Sequence, residues 1–207
     1  MIIVFEGSNG SGTSTQVNIF SKLLPDYIAT RHPGSTNLGK ELRKMLKFGS
    51  FSTTPTQELL LFAADAMSFY EEYIVKNKYE NILCDRINFI GMMTYQKANG
   101  ATDNQIGSTV KAMMDLEWKT IIDKIFIFDA PYDVLKSRIE KPDLIEQDKE
   151  QGNRKDRFES KGDEYMRKVC NSYSEICGMT LPFAKEIIRI DATKSVEEVT
   201  DQIKSYL

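Results

Sequence analysis

Three groups of residues in this 207-residue chain have the types and spacing that phosphate chemistry needs. The first is GSNGSGTST, Gly7 to Thr15, directly after the apolar run IIVFE. A phosphate-cradling loop reads Gly, four residues, Gly, Lys, then Ser or Thr, and its backbone N–H groups and following helix end hold the anion. Gly7, Gly12 and Ser14 keep their places, Ser8, Asn9, Gly10 and Ser11 fill the interior, Thr15 follows, and Thr13 stands where the pattern has lysine. That lysine contributes about 4 kcal/mol for a charge pair at about 4 Å in an effective dielectric of about 20, so a working loop needs another cation. Ser14 keeps a hydroxyl for Mg²⁺, and Thr13 keeps a hydroxyl donor. The second group is Asp85-Arg86, at the end of the short apolar run ILC, and the third is Arg154, Lys155 and Arg157. Arginine suits phosphate because its planar fork matches two oxygens and stays charged.

Composition narrows the partners. With 27 Lys and Arg against 30 Asp and Glu, the formal net charge of -3 argues against a broad nucleic-acid surface and for a small ligand. His32 is the single histidine, so chemistry rests on carboxylates, arginines, lysines and backbone rather than on a His-rich metal site. Cys84, Cys170 and Cys177 match neither a disulfide framework nor a zinc ribbon and are expected as reduced thiols of a cytoplasmic chain. The apolar start reaches glycine too soon for a signal peptide or spanning helix, so no membrane association is expected.

These residues need elements to position them. Short runs rich in Ile, Val and Phe, at Ile2 to Phe5, Ile82 to Cys84, Ile125 to Phe128 and Ile187 to Ile190, with a weaker one near Tyr27 to Ala29, predict buried parallel strands. Between them, Val17, Phe20 and Leu24, and Leu59, Leu60, Ala63 and Met67, have helical spacing. The alternation predicts one α/β domain over 1–207, three layers around a five-stranded parallel sheet. Ligands of such sheets bind beyond the carboxyl ends of the strands, where Glu6-Gly7, Thr30-Arg31, Asp85-Arg86, Asp129-Ala130 and Asp191-Ala192 lie. Any one of these is equally a cap or turn former, but five together favour a site. From about 139 to 163 the chain is almost wholly polar and predicts a lid.

Six stretches in order resemble the thymidylate kinases: IVFEGSNGSGTSTQ, TRHPGSTNLGKELRKML, ELLLFAADAMSFYEEYI, ILCDRINFI, IFIFDAPYDVLKSRI with RKDRFES, and IIRIDATKSVEEV. The resemblance implies transfer of the ATP γ-phosphate to dTMP. Gly7 to Thr15 would hold ATP phosphates, with Ser14 and Asp85 serving Mg²⁺. Arg86 would clamp the acceptor phosphate, Arg31 and Pro33 would line the acceptor pocket, and Phe62 would stack on the pyrimidine. Arg154 and Arg157 would close over ATP, and a homodimer is implied. The sequence departs from the family where a loop carboxylate becomes Asn9, a glutamate becomes His32, an arginine near the thymine becomes Ala66, and a tyrosine and a serine become Ile87 and Ile90. Tyr95 and Gln96 match a family Tyr-Gln pair one position late. Two rival readings stay open: another pyrimidine deoxynucleotide such as dUMP as acceptor, on Ala66, and a non-catalytic nucleotide-binding module, on Thr13 and Asn9.

Overall fold

The computed structural model describes residues 1–50, 52–116, 118–119, 121–140 and 157–207. Five strands, β1 (Ile2–Gly7), β2 (Ile28–Arg31), β3 (Ile82–Asp85), β4 (Ile122–Asp129) and β5 (Ala184–Asp191), form one sheet in the order β2-β3-β1-β4-β5. Each neighbouring pair is parallel, with Phe5 opposite both Asp85 and Phe126. The predicted strands are therefore present, and the weak run near Tyr27 forms the exposed edge strand β2.

Period-2 alternation sends successive side chains to opposite faces, and both faces are apolar because helices cover both. Ile2, Val4, Ile82, Cys84, Ile125 and Ile127 belong to one core, whereas Ile3, Phe5, Leu83, Phe126 and Phe128 belong to the other. On the second face, Phe20 of α1 (Thr13–Leu23) meets Phe5 edge-on at 5.5 Å, and Val199 and Ile203 of α8 (Val196–Lys204) complete the layer. The first face packs α3 (Pro55–Phe69), α5 (Asp103–Leu116) and α7 (Asp163–Ile176), with α2 (Asn37–Phe48) outside α3. Two short elements complete the described helices, α4 (Asn88–Gly91) and α6 (Tyr132–Ile139).

The inward stripe of α3 is Leu59, Phe62, Ala63, Ala66 and Phe69, all buried. It differs from the predicted stripe in that Leu60 points outward at 60% exposed, while Phe62 takes its place one turn before Ala66. Thr54 caps this helix with a reciprocal Gln57 contact and Pro55 opens it, so the chain enters α3 at a fixed point. Met92 and Met113 are core residues, and Met93 and Met114 pack against them. The predicted lid begins at Ile139, where α6 ends, and finishes at Asp163, where α7 starts. Residues 141–156, including Arg154 and Lys155, lie outside the described residues.

Candidate active site

The glycine-rich loop leaves the centre of the sheet. Gly7 ends β1, and a Cβ there would collide with Ser11 Oγ and stand 3.0 Å from Phe128 Cβ. Gly10 and Gly12 have φ of 81° and 94°, the left-handed region that glycine adopts freely, so the chain can turn and start α1 at Thr13. A Cβ on Gly10 would also lie 2.9 Å from Ile139 Cγ1 and 3.0 Å from the Leu135 carbonyl, which packs the loop against α6. The Ser11 N–H donates to the Ser8 carbonyl at 3.1 Å, closing the turn. Ser8, Ser11 and Thr13 are buried, whereas Ser14 and Thr15 are exposed at the helix start.

β3 is the neighbour of β1, so its end delivers Asp85 and Arg86 to the loop. Ser14 Oγ donates to Asp85 Oδ2 at 2.6 Å, and Asp85 Oδ1 is buried without a hydrogen-bond partner among the described residues. Arg86 Nη2 donates to Asn9 Oδ1 at 2.7 Å, and its guanidinium carbon stands 5.8 Å from the Tyr95 ring centre. Burial opposes the charge of Arg86, but Tyr95, Tyr173, Asp85 and Glu6 together raise its pKa further, so it is a permanent cation. The structure therefore brings Gly7 to Thr15, Asp85 and Arg86 into one place.

Tyr95 reaches the same place because the chain from Met92 to Gln96 forms a π-helical turn, which takes one extra residue into a helix. Its hydroxyl donates to Asn9 Oδ1 at 3.4 Å. Gln96, the next residue, is wholly buried.

The residues expected on the acceptor side are more spread. Arg31 ends β2 opposite Asp85 and is exposed. Pro33 follows a cis peptide after His32, and its carbonyl accepts from Arg43 Nη1 at 3.2 Å. Phe62 is buried, with Phe158 at 6.2 Å between centroids, and Phe158 in turn lies 6.0 Å from Tyr95. Arg157 sits against α3: its Nη2 pairs with Glu58 Oε1 at 2.6 Å, and its N–H donates to the Lys47 carbonyl at 2.9 Å. Glu58 also accepts from Thr53 and Asn99 and is itself buried.

The strand-end residues separate into two kinds. Asp129 accepts from Ser174 at 2.6 Å and pairs with Arg189 at 2.5 Å, while Asp191 accepts from the Thr193 N–H at 3.0 Å. Both therefore have partners within the fold, whereas Asp85 and Arg86 face the loop that follows β1. His32 is a buried structural residue, 3.3 Å from Asp65 and edge-on to Phe69 at 4.3 Å. Asp65 in turn accepts from the Gly34 N–H and from Asn88, fixing the loop that carries Pro33. Burial pushes the Asp65 carboxyl up, but His32, Asn88 and Gly34 together hold it below the usual range.

The family model described as Thymidylate kinase matches residues 5–203. The chain belongs to the thymidylate kinase family. The thymidylate kinase of Campylobacter concisus (strain 13826) is 32% identical over 211 residues, covering 100% of this chain and 98% of that protein. Those of Campylobacter curvus (strain 525.92) and Sulfurovum sp. (strain NBC37-1) are 30% and 31% identical, each covering 100% of this chain and 99% of its own length.

Within this thymidylate kinase family member, three of the departures expected from the family resemblance, Ala66, Ile87 and Ile90, are all buried in the first core. Two buried groups escaped sequence reasoning as site components. Glu6 was visible as a strand end, and an acid inside the apolar run IIVFE was its signal; Tyr173, which donates to Glu6 Oε2 at 3.0 Å, carried none.

Proposed function

We propose that this chain moves the γ-phosphoryl group of ATP onto dTMP, giving ADP and dTDP. The observation that carries the reading is the placement of a permanent cation, Arg86, on Asn9 of a lysine-free phosphate loop, beside the Ser14–Asp85 pair. Phosphoryl transfer asks a protein mainly for positioning and for cations aimed at the transferring oxygens. Backbone N–H groups of Gly7 to Thr15 hold the ATP phosphates at the start of α1. Arg86 clamps the acceptor phosphate and supplies part of the charge that Thr13 lacks, with Arg154 and Arg157 as the cations that supply the rest. Arg31 and Pro33 border the acceptor, Phe62 offers a ring to the pyrimidine, and Asn9 offers its amide to the sugar.

The residues present suit Mg²⁺. Ser14 Oγ and Asp85, with its unpartnered buried Oδ1, form an oxygen donor set of the kind that hard cation takes. When bound, the ion neutralises phosphate charge. Ser14 donates to Asp85, which keeps both groups together beside the loop.

We also infer a homodimer and a cytoplasmic setting. Leu38, 55% exposed, lines a groove of about 490 Å³ on α2 together with Leu42, Met45 and Phe48, Leu60 is 60% exposed on the neighbouring α3, and a second copy would cover them. No helix among the described residues is long and apolar enough to cross a membrane.

A second reading keeps the chemistry and changes the acceptor to another pyrimidine deoxynucleotide; the wholly buried Ala66 favours it, because a methyl group offers the base no donor. Initial rates of ADP release with dTMP, dUMP, dCMP, dGMP and dAMP test both. A clear dTMP preference supports the first reading, and preference for another acceptor replaces it with the second.

A further inference from the structure

Arg86 has φ of 68°, a left-handed conformation that residues with a Cβ avoid unless their surroundings impose it. The surroundings are specific. The β1–β3 ladder runs from Ile2 opposite Ile82 to Phe5 opposite Asp85, and its last backbone rung is the Arg86 N–H donating to the Phe5 carbonyl at 2.8 Å. The Ile87 N–H, one residue past that rung, has no backbone carbonyl of β1 as its partner. That N–H donates instead to Glu6 Oε1. Tyr173 of α7 holds the other oxygen, Glu6 Oε2, at 3.0 Å, and Cys84 Sγ donates to the Arg86 carbonyl at 2.9 Å. Glu6 is wholly buried, and no step of the proposed transfer uses it.

We propose that Glu6 is the positioning residue for Arg86: its side chain accepts from the Ile87 N–H, fixes the peptide after Arg86, and so aims the guanidinium at Asn9 and the phosphates. The inference rests on the reading that Arg86 clamps the acceptor phosphate. The role needs an oxygen acceptor facing Ile87 and a partner for Tyr173, and it does not need a negative charge. Glutamine supplies both, through its carbonyl and its amide. Methionine fills similar space and supplies neither, leaving a buried N–H unpaired.

The test measures dTMP affinity by calorimetry without ATP or Mg²⁺, and kcat/KM with them, for the wild type, Glu6→Met, Glu6→Gln, Arg86→Ala and the Glu6→Met/Arg86→Ala pair. Glu6→Met is expected to weaken both quantities about tenfold, Glu6→Gln to restore them to within about twofold, and Glu6→Met to cost less than about twofold once Arg86 is alanine. An equal loss with Gln and Met, or an undiminished Glu6→Met effect in the Arg86→Ala background, overturns the positioning role. If Glu6→Met does not fold, Tyr173→Phe takes its place. A loss of about threefold that vanishes with Arg86→Ala supports the role, and a loss that persists overturns it. An Arg86→Ala protein that binds and turns over dTMP like the wild type sinks the reading of Arg86 itself, a result distinct from either outcome for Glu6.

Discussion

Replacing Glu6 by glutamine should change how stability depends on pH, with a sign fixed by burial. The Glu6 carboxyl is enclosed, and burial lifts it from an ordinary 4.5 to about 8 against the opposing pull of the Ile87 N–H, Arg86 and Tyr173, with Asp85 adding to the rise. The folded protein therefore holds a proton on Glu6 that the unfolded chain has released between those two values. Stability must fall as pH rises through that window and level off above it, because the unfolded state binds fewer protons there. One pKa unit is about 1.4 kcal/mol, so between about pH 5 and about pH 9 the wild type should lose roughly 4 kcal/mol relative to Glu6→Gln, which has nothing to titrate. Urea denaturation of both proteins across that range reads the gap directly; with a slope near 2 kcal/mol per molar, the midpoints should shift by about 2 M relative to each other. A gap that does not change with pH, or that moves in the wild type's favour as pH rises, would show that Glu6 is ionised in the folded protein and that the reasoning from burial is wrong.

Further outcomes follow from the same geometry. Asp85→Asn and Ser14→Ala should each lower kcat/KM by about a hundredfold or more and shift the Mg²⁺ dependence to higher concentration, and an unchanged Mg²⁺ titration would remove this pair from the metal site. Arg157→Ala leaves Glu58 buried without its 2.6 Å partner and should cost about 3 kcal/mol, a fall in Tm of roughly 10 °C by scanning calorimetry; a shift below about 2 °C would place the pair among ordinary surface contacts. Thr13→Lys should not raise kcat/KM, because Thr13 is 4% exposed and its surroundings have closed over a small side chain. A gain of tenfold would mean that the loop lacks only the charge.

The sheet was legible because both its faces are apolar, so IIVFE, ILC and IFIF stand out against amphipathic neighbours without any tertiary knowledge. The loop was legible from its glycines, whose left-handed backbone at Gly10 and Gly12 is what the spacing demands. Asp85 and Arg86 were legible as a strand end, and their neighbourhood with Gly7 to Thr15 follows from β3 lying beside β1. Other features depended on packing that one-dimensional periodicity does not encode. Leu60 and Phe62 both fit a helical stripe, and only the position of the sheet decides that Phe62 faces inward. Tyr95 lies in the π-helical turn at Met92 to Gln96 and meets Asn9, and such a turn leaves no mark in residue spacing. Asp129 and Asp191 resembled site residues because the same side chain that caps a turn also ligates a phosphate-bound metal; Arg189 and Thr193 decide for the fold. Arg157 was read as a lid cation, and the partner that holds it here, Glu58, lies about a hundred residues earlier in the chain.

The central claim is that a phosphate loop without its lysine transfers phosphate to dTMP. It is tested most directly by mixing the purified protein with γ-labelled ATP, Mg²⁺ and dTMP and separating the nucleotides. The account predicts label in dTDP, with ADP formed in equal amount, and loss of both products with Arg86→Ala. ATP that binds without dTDP appearing, or label appearing only in inorganic phosphate, would contradict it and leave a nucleotide-binding module with the fold of a kinase.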